Sequence, residues 1–140
     1  MRVIVFVKAT EDSEASVMPS PELIEAMGKY NEELINAGIM VGGDGLKASK
    51  FGKRIAFDGD SRTVSDGPFA ETRELVSGFW IWEVKDMDEA VAWAKRCPNP
   101  MPGPSDLELR PVITMEDFAE VMTEEGAAIH ARNEKALSGE

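Results

Sequence analysis

The sequence contains few of the residues that catalytic and metal-binding sites usually require. Among its 140 residues there is one cysteine, Cys97, and one histidine, His130. A single cysteine excludes an internal disulfide and fits a reducing compartment. One histidine near the C-terminus assembles neither a Ser-His-Asp nor a Cys-His set, and no zinc-ligand spacing occurs. We therefore expect no metal and no cofactor, and we interpret Cys97 as a small buried residue.

Basic residues are also scarce. There are 15 lysines and arginines against 26 aspartates and glutamates, for a net charge of −11. An acidic chain without a basic stripe does not match a phosphate backbone, which argues against nucleic acid as a partner. The same charge opposes docking on anionic membranes, and no apolar run reaches the length of a membrane span. The N-terminus also lacks a signal-peptide pattern, so we expect a soluble, cytoplasmic protein.

The periodic segments that are present predict one α+β domain. Ser20-Pro21 begins a helix predicted to run from Pro21 to Ala37, and Asp86 caps a second helix that ends before Pro98. Strands are predicted at 3–7, 39–41, 78–84 and 107–113, with a hairpin at 55–57 and 62–65. Without the hairpin, the order is the βαββαβ pattern of a ferredoxin-like sheet with helices on one face.

Two other segments are predicted to be less regular. Residues 10–18 are polar and are interpreted as a mobile loop. Thr114 is predicted to cap a third helix that carries Phe118 and Val121 on its apolar side. Because Gly126 interrupts that pattern, we interpret residues 1–125 as the domain and residues 126–140 as a polar, partly helical tail.

The strands predict a homodimer. In the first strand Ile4 and Phe6 point away from the valines, and in the fourth Trp80 and Trp82 point away from their neighbours. The expectation is that helices cover one face and leave the tryptophans on the other, where each could bury about 150–250 Å². So large an apolar patch is unusual on a monomer. Two sheets packed face to face would cover it.

The stretch densest in polar groups is Asp66-Gly67-Pro68-Phe69-Ala70-Glu71-Thr72-Arg73-Glu74. Asp66 is interpreted either as a turn-forming side chain or, with Glu71, as a candidate acid–base catalyst. Arg73 is a candidate ligand-binding fork, or part of a solvated charged face. Phe69 is a candidate pocket wall, or a buried anchor for the loop.

A Gly-rich stretch before the hairpin, Gly43-Asp44-Gly45-Leu46-Lys47-Ala48, formally fits a dinucleotide-binding pattern. We reject that interpretation because no long helix follows. Four basic residues come next, and they are interpreted as a solvated loop or as an attraction for an anionic ligand: Lys47, Lys50, Lys53 and Arg54.

Three blocks together resemble the YCII-related proteins, specifically the branch with a DGPF domain. They are Asp66 to Glu74, Gly78-Phe79-Trp80-Ile81, and Trp93-Ala94-Lys95-Arg96-Cys97-Pro98, with shorter matches elsewhere between Met1 and Phe118. The resemblance implies a dimeric α/β barrel of ferredoxin-like protomers. A His-Asp pair proposed for some related proteins has no counterpart here, because His130 lies outside the matched region.

Three functions follow as alternatives. The first is a small-molecule binder or cofactor-independent enzyme with a pocket near the dimer cleft. The second, implied by the resemblance, is a non-enzymatic regulatory module with a sigma-factor-linked protein partner. The third is a purely structural dimer.

Overall fold

A computed structural model describes residues 1–139. Within this range the strands are β1 (Arg2–Lys8), β2 (Met40–Gly45), β3 (Lys53–Asp58), β4 (Ser61–Asp66), β5 (Val76–Glu83) and β6 (Leu107–Pro111). The α-helices are α1 (Glu11–Glu14), α2 (Pro21–Asn36), α3 (Met87–Lys95) and α4 (Glu124–Ser138). Short 3-10 turns occupy Ser49–Phe51, Thr72–Glu74 and Met115–Phe118.

Four strands form one antiparallel sheet in the order β2-β5-β1-β6. Helices α2 and α3 are the two crossovers, so the βαββαβ prediction and the ferredoxin-like α+β fold are confirmed. Strands β3 and β4 pair only with each other, as a separate two-stranded sheet. This hairpin is inserted between β2 and β5, where the sequence predicted it.

The core lies between the sheet and the helices α2 and α3. From the sheet it takes the valines of β1 and the tryptophans of β5, and Trp82 and Val3 are fully buried. From the helices it takes Tyr30, Leu34 and Ala90. The Tyr30 hydroxyl donates to the Trp93 carbonyl oxygen at 2.6 Å, which joins α2 to α3.

The expectation that the tryptophans lie on the uncovered face is therefore wrong. Trp82 pairs with Val3 and Trp80 with Val5, and these residues all face the helices. The uncovered side carries Ile4, Phe6, Phe79 and Ile81, each half-buried, and we call it the open face. Period-2 alternation gives the two sets correctly, but it does not say which set faces the helices.

Capping explains the bounds of the crossover helices. The Ser20 hydroxyl accepts from the Leu23 N–H at 3.1 Å, and Pro21 is the first helical residue of α2. The Asp86 carboxylate accepts from the Glu89 N–H at 2.8 Å and begins α3. Both helix starts lie where the sequence placed them.

The predictions for two less regular segments need correction. Part of the predicted mobile loop forms the single-turn helix α1, because Thr10 and Ser13 make a capping box. Thr114 and Asp117 also make a capping box, but it begins only a 3-10 turn. The C-terminal helix α4 begins at Glu124 instead, where the Thr123 hydroxyl accepts from the Gly126 N–H at 2.9 Å. None of the helices within residues 1–139 has the length and apolarity required to cross a membrane.

Candidate functional site

A cavity of about 1150 Å³ lies between the helix layer and one end of the sheet. The end of β2 and the start of β5 form its floor. Its walls come from the segment that joins α1 to α2, from the first half of α2 and from two loops, at 46–51 and 99–102. A cavity of this size can accommodate a drug-sized molecule.

Glycines make the floor hollow. Gly43 pairs with Trp80, and Gly45 pairs with Gly78, so these three glycines lie on the side of the sheet that faces the helices. Elsewhere on this side the strands carry valine and tryptophan, which fill the core. Above Gly45 the space is open, whereas the space beside Gly43 is taken by the Phe79 carbonyl group and the Trp80 ring. Glycine at position 45 therefore keeps this end of the hollow open.

The glycines of the floor differ in what they tolerate. A Cβ at Gly43 would lie 2.7 Å from the Phe79 carbonyl oxygen and 3.1 Å from the Trp80 ring, which leaves no room for a side chain. A Cβ at Gly45 would meet no atom within 4 Å, because the cavity lies above it. Gly45 is consequently a position where a side chain would occupy the cavity without disturbing the sheet.

The walls are predominantly apolar with a small number of polar groups. The apolar lining includes Val17, Met18, Leu23, Met27, Phe51, Trp80 and Met101. The polar lining includes Asp12, Ser13, Asn31, Asp44, Lys47 and Asn99. Such a lining accepts an apolar body and orients it by few hydrogen bonds.

Asn31 is the best-oriented polar group of the cavity. Its Oδ1 accepts from the Trp80 indole N–H at 2.9 Å, and Tyr30 contacts the same indole edge-on, with ring centroids 6.0 Å apart. This hydrogen bond fixes the amide, so Nδ2 is its donor end. No acceptor within residues 1–139 bonds to Nδ2. Asn31 can therefore donate to a ligand oxygen.

A network centred on Ser49 holds the 46–51 wall in place. The Glu14 carboxylate accepts from the Ser49 N–H at 2.8 Å and also from its hydroxyl. The Ser49 Oγ in turn accepts from the Phe69 N–H at 3.1 Å. A Cβ at Gly67 would lie 1.8 Å from the Ser49 carbonyl oxygen, so glycine is required for this approach. The Asp66–Phe69 segment thus fixes the cavity wall from behind.

The candidate residues of the Asp66–Glu74 stretch do not line this cavity. Asp66 pairs with Lys53, with 2.5 Å between carboxylate and ammonium, and both side chains are largely exposed. Glu71 is exposed and has a positive φ of 62°, and Arg73 is also exposed. Phe69 borders a separate hollow of about 510 Å³ on the other side of the 46–51 loop, with the Arg54 guanidinium 3.9 Å above its ring. The structure brings Asp66, Phe69 and Arg73 into one surface loop region, and their functional roles stay predictions.

The sequence predicted a pocket between the helices and the sheet, near the dimer cleft, but it did not predict the residues that line this cavity. The GxGxxA stretch was rejected as a dinucleotide motif, and the glycines within it turn out to form the floor. The available signal was two glycines at an i, i+2 spacing, Gly43 and Gly45, soon after the strand predicted at 39–41. In a strand, that spacing leaves one face bare. Asn31 carried no signal, because its role depends on the distant indole of Trp80.

The remaining reactive groups belong to the core or the surface. Burial raises the pKa of the Cys97 thiol to about 11 and so disfavours the reactive thiolate. Burial also raises the pKa of the Tyr30 phenol well above its usual range. His130 Nε2 lies 3.0 Å from a Glu134 carboxylate oxygen on the exposed surface of α4. Among residues 1–139, no group of three or more His, Cys, Asp or Glu side chains is arranged to hold a metal ion.

The fold and the site define a ferredoxin-like α+β protein with an apolar cavity between its helices and one end of its sheet. The family model of the YCII-related domain matches residues 1–116, and the chain belongs to this family. The match ends at the 3-10 turn of Met115–Phe118 and does not include α4.

One curated relative is an uncharacterized protein of Rhizobium meliloti (strain 1021). It is 41% identical over 49 residues, which are 35% of this chain. The chain spans only 40% of the length of that relative. The comparison therefore supports kinship and assigns no activity.

Proposed function

We propose that this chain is a small-molecule-binding protein whose ligand occupies the glycine-floored cavity. The observation that carries the proposal is the cavity itself, which lies between the helix layer and the sheet and has open space above Gly45 in its floor. Protein interiors are close-packed, and deleting buried side chains normally lowers stability. A hollow of about 1150 Å³ with a fixed hydrogen-bond donor inside it is best explained by an occupant.

The lining supports a particular kind of ligand. Met27, Trp80 and Met101 offer an apolar, polarizable surface, which suits a flat or elongated apolar body. The Asn31 amide supports an oxygen acceptor on that body, such as a carbonyl. Lys47, whose ammonium lies 5.3 Å from the centre of the Phe51 ring, adds a positive charge at the mouth.

A more specific proposal is that the protein catalyses a cofactor-independent reaction. The predicted acid–base groups, Asp66 and Glu71, lie outside the cavity, and so do Phe69 and Arg73. If these residues act on a ligand, they do so at the separate hollow behind the 46–51 loop. The ligand-binding proposal does not depend on them.

The homodimer is a second part of the proposal, and the open face supports it. Ile4, Phe6, Phe79 and Ile81 form a contiguous apolar patch on the face opposite the helix-covered core of residues 1–139. A second sheet packed on this patch would cover it and would give the dimeric barrel that the family resemblance implies. The sigma-factor-linked partner stays a prediction of that resemblance.

The ligand proposal is tested by filling the cavity with Gly45→Val. Valine suits a strand, and its side chain would enter open space above the floor. We expect binding of the apolar dye anilinonaphthalene sulfonate, followed by energy transfer from Trp80, to weaken about tenfold or more. The thermal stability of the variant should be unchanged or higher, because valine fills a void.

Gly28→Ala is the matched control. Gly28 lies on the exposed side of α2, and a Cβ there also meets no atom within 4 Å. This substitution should leave dye binding unchanged and should raise the free energy of unfolding by about 1 kcal/mol. If Gly45→Val binds the dye as tightly as Gly28→Ala does, the cavity is not the binding site.

A further inference from the structure

The β3–β4 hairpin projects from the domain without support. Every residue of β3 and β4 is exposed, and the two strands pair with no other strand. An isolated two-stranded hairpin is marginally stable at best in water. A hairpin of this kind that persists generally packs against another element, and no element within residues 1–139 buries its strands.

One side of the hairpin is both apolar and basic. Ile55 pairs with Val64 and Phe57 with Arg62, and these side chains point the same way as Lys53. Ile55, Val64 and Phe57 are 55%, 59% and 72% exposed. Asp66 also lies on this side, where it pairs with Lys53, so Arg62 is the basic residue that has no acidic partner there. We call this surface the hairpin face; it is made of Lys53, Ile55, Phe57, Arg62, Val64 and Asp66.

The charge on the hairpin face is partly uncompensated. The Arg62 guanidinium lies 4.6 Å from the centre of the Phe57 ring and donates to the carbonyl oxygens of Gly59 and Ser61. It pairs with no carboxylate within the described residues. A partner surface that combined apolar side chains with acids would match this face.

The same chain contains such a surface at residues 113–125, which we call the acidic segment. Ile113, Phe118 and Val121 are 63%, 41% and 77% exposed there. Its acids are Glu116, Asp117, Glu120, Glu124 and Glu125, with no base among them. In the part of the chain that the structure describes, none of these acids forms an ion pair with a lysine or an arginine.

The two surfaces leave the sheet at opposite ends. The hairpin follows Gly45, which pairs with Gly78, and Gly78 in turn pairs with Val7. The acidic segment follows Pro111, which pairs with Val3 at the other end of β1. Four residue steps along a strand separate Val7 from Val3 by about 13 Å. The exposure of Phe57 and Val121 shows that the surfaces do not cover each other within one protomer.

We propose that the hairpin face of one protomer docks on the acidic segment of a second copy. A two-fold axis parallel to the sheet and perpendicular to its strands exchanges the ends of the sheet, so both contacts form at once. Attraction between Arg62 and the carboxylates of the acidic segment orients the contact, and Phe57 supplies its main apolar side chain. This interface is independent of the ligand cavity, and it rests on the homodimer of the proposed function, to which it adds a second contact outside the open face.

Directed cross-linking tests the proposal. Two full-length proteins are made in a Cys97→Ala background, one carrying Phe57→Cys and the other Val121→Cys. They are mixed, oxidised, and analysed by non-reducing electrophoresis and peptide mapping. We expect a disulfide between position 57 of one chain and position 121 of the other. Ala56→Cys replaces Phe57→Cys in the matched control, because Ala56 is exposed on the opposite side of β3, and its yield should be several-fold lower.

Sedimentation gives a second readout that does not depend on introduced thiols. Phe57→Ser should weaken self-association about tenfold or more, and Arg62→Glu should weaken it in a way that Glu120→Arg partly restores. Both positions are exposed, so the variants should fold. Three outcomes overturn the proposal: equal cross-linking of positions 56 and 57, a disulfide from position 57 to Phe6→Cys on the open face in place of position 121, or self-association that Phe57→Ser leaves unchanged.

Discussion

At the scale of single residues, burial has the clearest effect on Cys97 and Tyr30. Both lie at the junction of α2 and α3, and desolvation is the main cause of the raised pKa of each. The thiol of Cys97 is therefore protonated and inert near neutral pH. The Tyr30 hydroxyl joins α2 to α3 through its hydrogen bond to the Trp93 carbonyl oxygen.

The first prediction concerns stability at alkaline pH. The Cys97 thiol has a pKa of about 11 in the folded protein against 9.0 ordinarily, so the unfolded chain loses this proton first. The stabilising contribution is complete below pH 9.0 and is lost as the pH rises toward 11. Urea unfolding at pH 8 and pH 10 should show that Cys97→Ala loses about 1 kcal/mol less than the parent over this interval. Parallel pH profiles for the two proteins would contradict the assignment.

At the scale of elements, the most informative contact joins two loops. Gly67 lies close against the Ser49 carbonyl group, and the Phe69 N–H donates to the Ser49 hydroxyl, so the 46–51 wall packs directly on the Asp66–Phe69 segment. The Gly67-Pro68 peptide bond is cis. The block of residues that marks the family resemblance therefore positions the cavity wall through its backbone.

The second prediction tests that contact. Gly67→Ala would place a Cβ 1.8 Å from the Ser49 carbonyl oxygen, so one of the two loops must shift. We expect the free energy of unfolding to fall by about 3 kcal/mol and dye binding in the cavity to weaken. Thermal melts and dye titrations measure the two effects. Gly103→Ala is the control, because a Cβ there meets no atom within 4 Å and should change neither. A Gly67→Ala protein with parental stability would show that the loops are not packed as described.

Local signals made most elements predictable. Helix α2 is predicted to end at Ala37 and ends at Asn36. The prediction is this close because Ser20-Pro21 marks the start of the helix and Gly38 marks its end. The prediction of the third helix is wrong. Thr114 and Asp117 do form a capping box, but no buried side chain stabilises the helix beyond one turn. A cap determines where a helix can begin, whereas packing determines how far it continues.

The site was less predictable because it depends on contacts between distant residues. The bare floor requires the register of β2 against β5, which pairs Gly43 with Trp80. The orientation of Asn31 requires that same indole, 49 positions away. The many polar residues near Asp66 suggested a site. Residues that are close in sequence, however, do not necessarily point their side chains to the same place in space.

At the scale of the whole molecule, neither the open face nor the hairpin face is fully buried by the described part of the chain. The open face is apolar with charged edges, since Lys8, Glu108 and Arg110 lie beside Phe6 and Ile4. Its packing on a second sheet would bury the apolar stripe and leave these charges near the rim. This arrangement resembles an interface with an apolar core and a polar rim.

The third prediction concerns that face. Ile4→Glu places a charge at the centre of the apolar stripe, opposite Ile81. We expect sedimentation equilibrium to show dissociation to monomers at concentrations where the parent is dimeric, because an unpaired buried carboxylate is costly. Ile24→Glu is the control, since Ile24 is 57% exposed on the outer side of α2. A parent protein that is already monomeric at micromolar concentration would refute the homodimer.

The glycines of the floor also bear on how a ligand would enter the cavity. A pocket lined by large side chains can close when their rotamers change, but a floor of Gly43, Gly45 and Gly78 has no side chain to move. The depth of the cavity at this end is therefore set by hydrogen-bonded backbone. Val17, Met18 and Phe51 of the opposite wall are exposed. On the proposed function, different ligands would be accommodated by the same floor and distinguished by these exposed side chains.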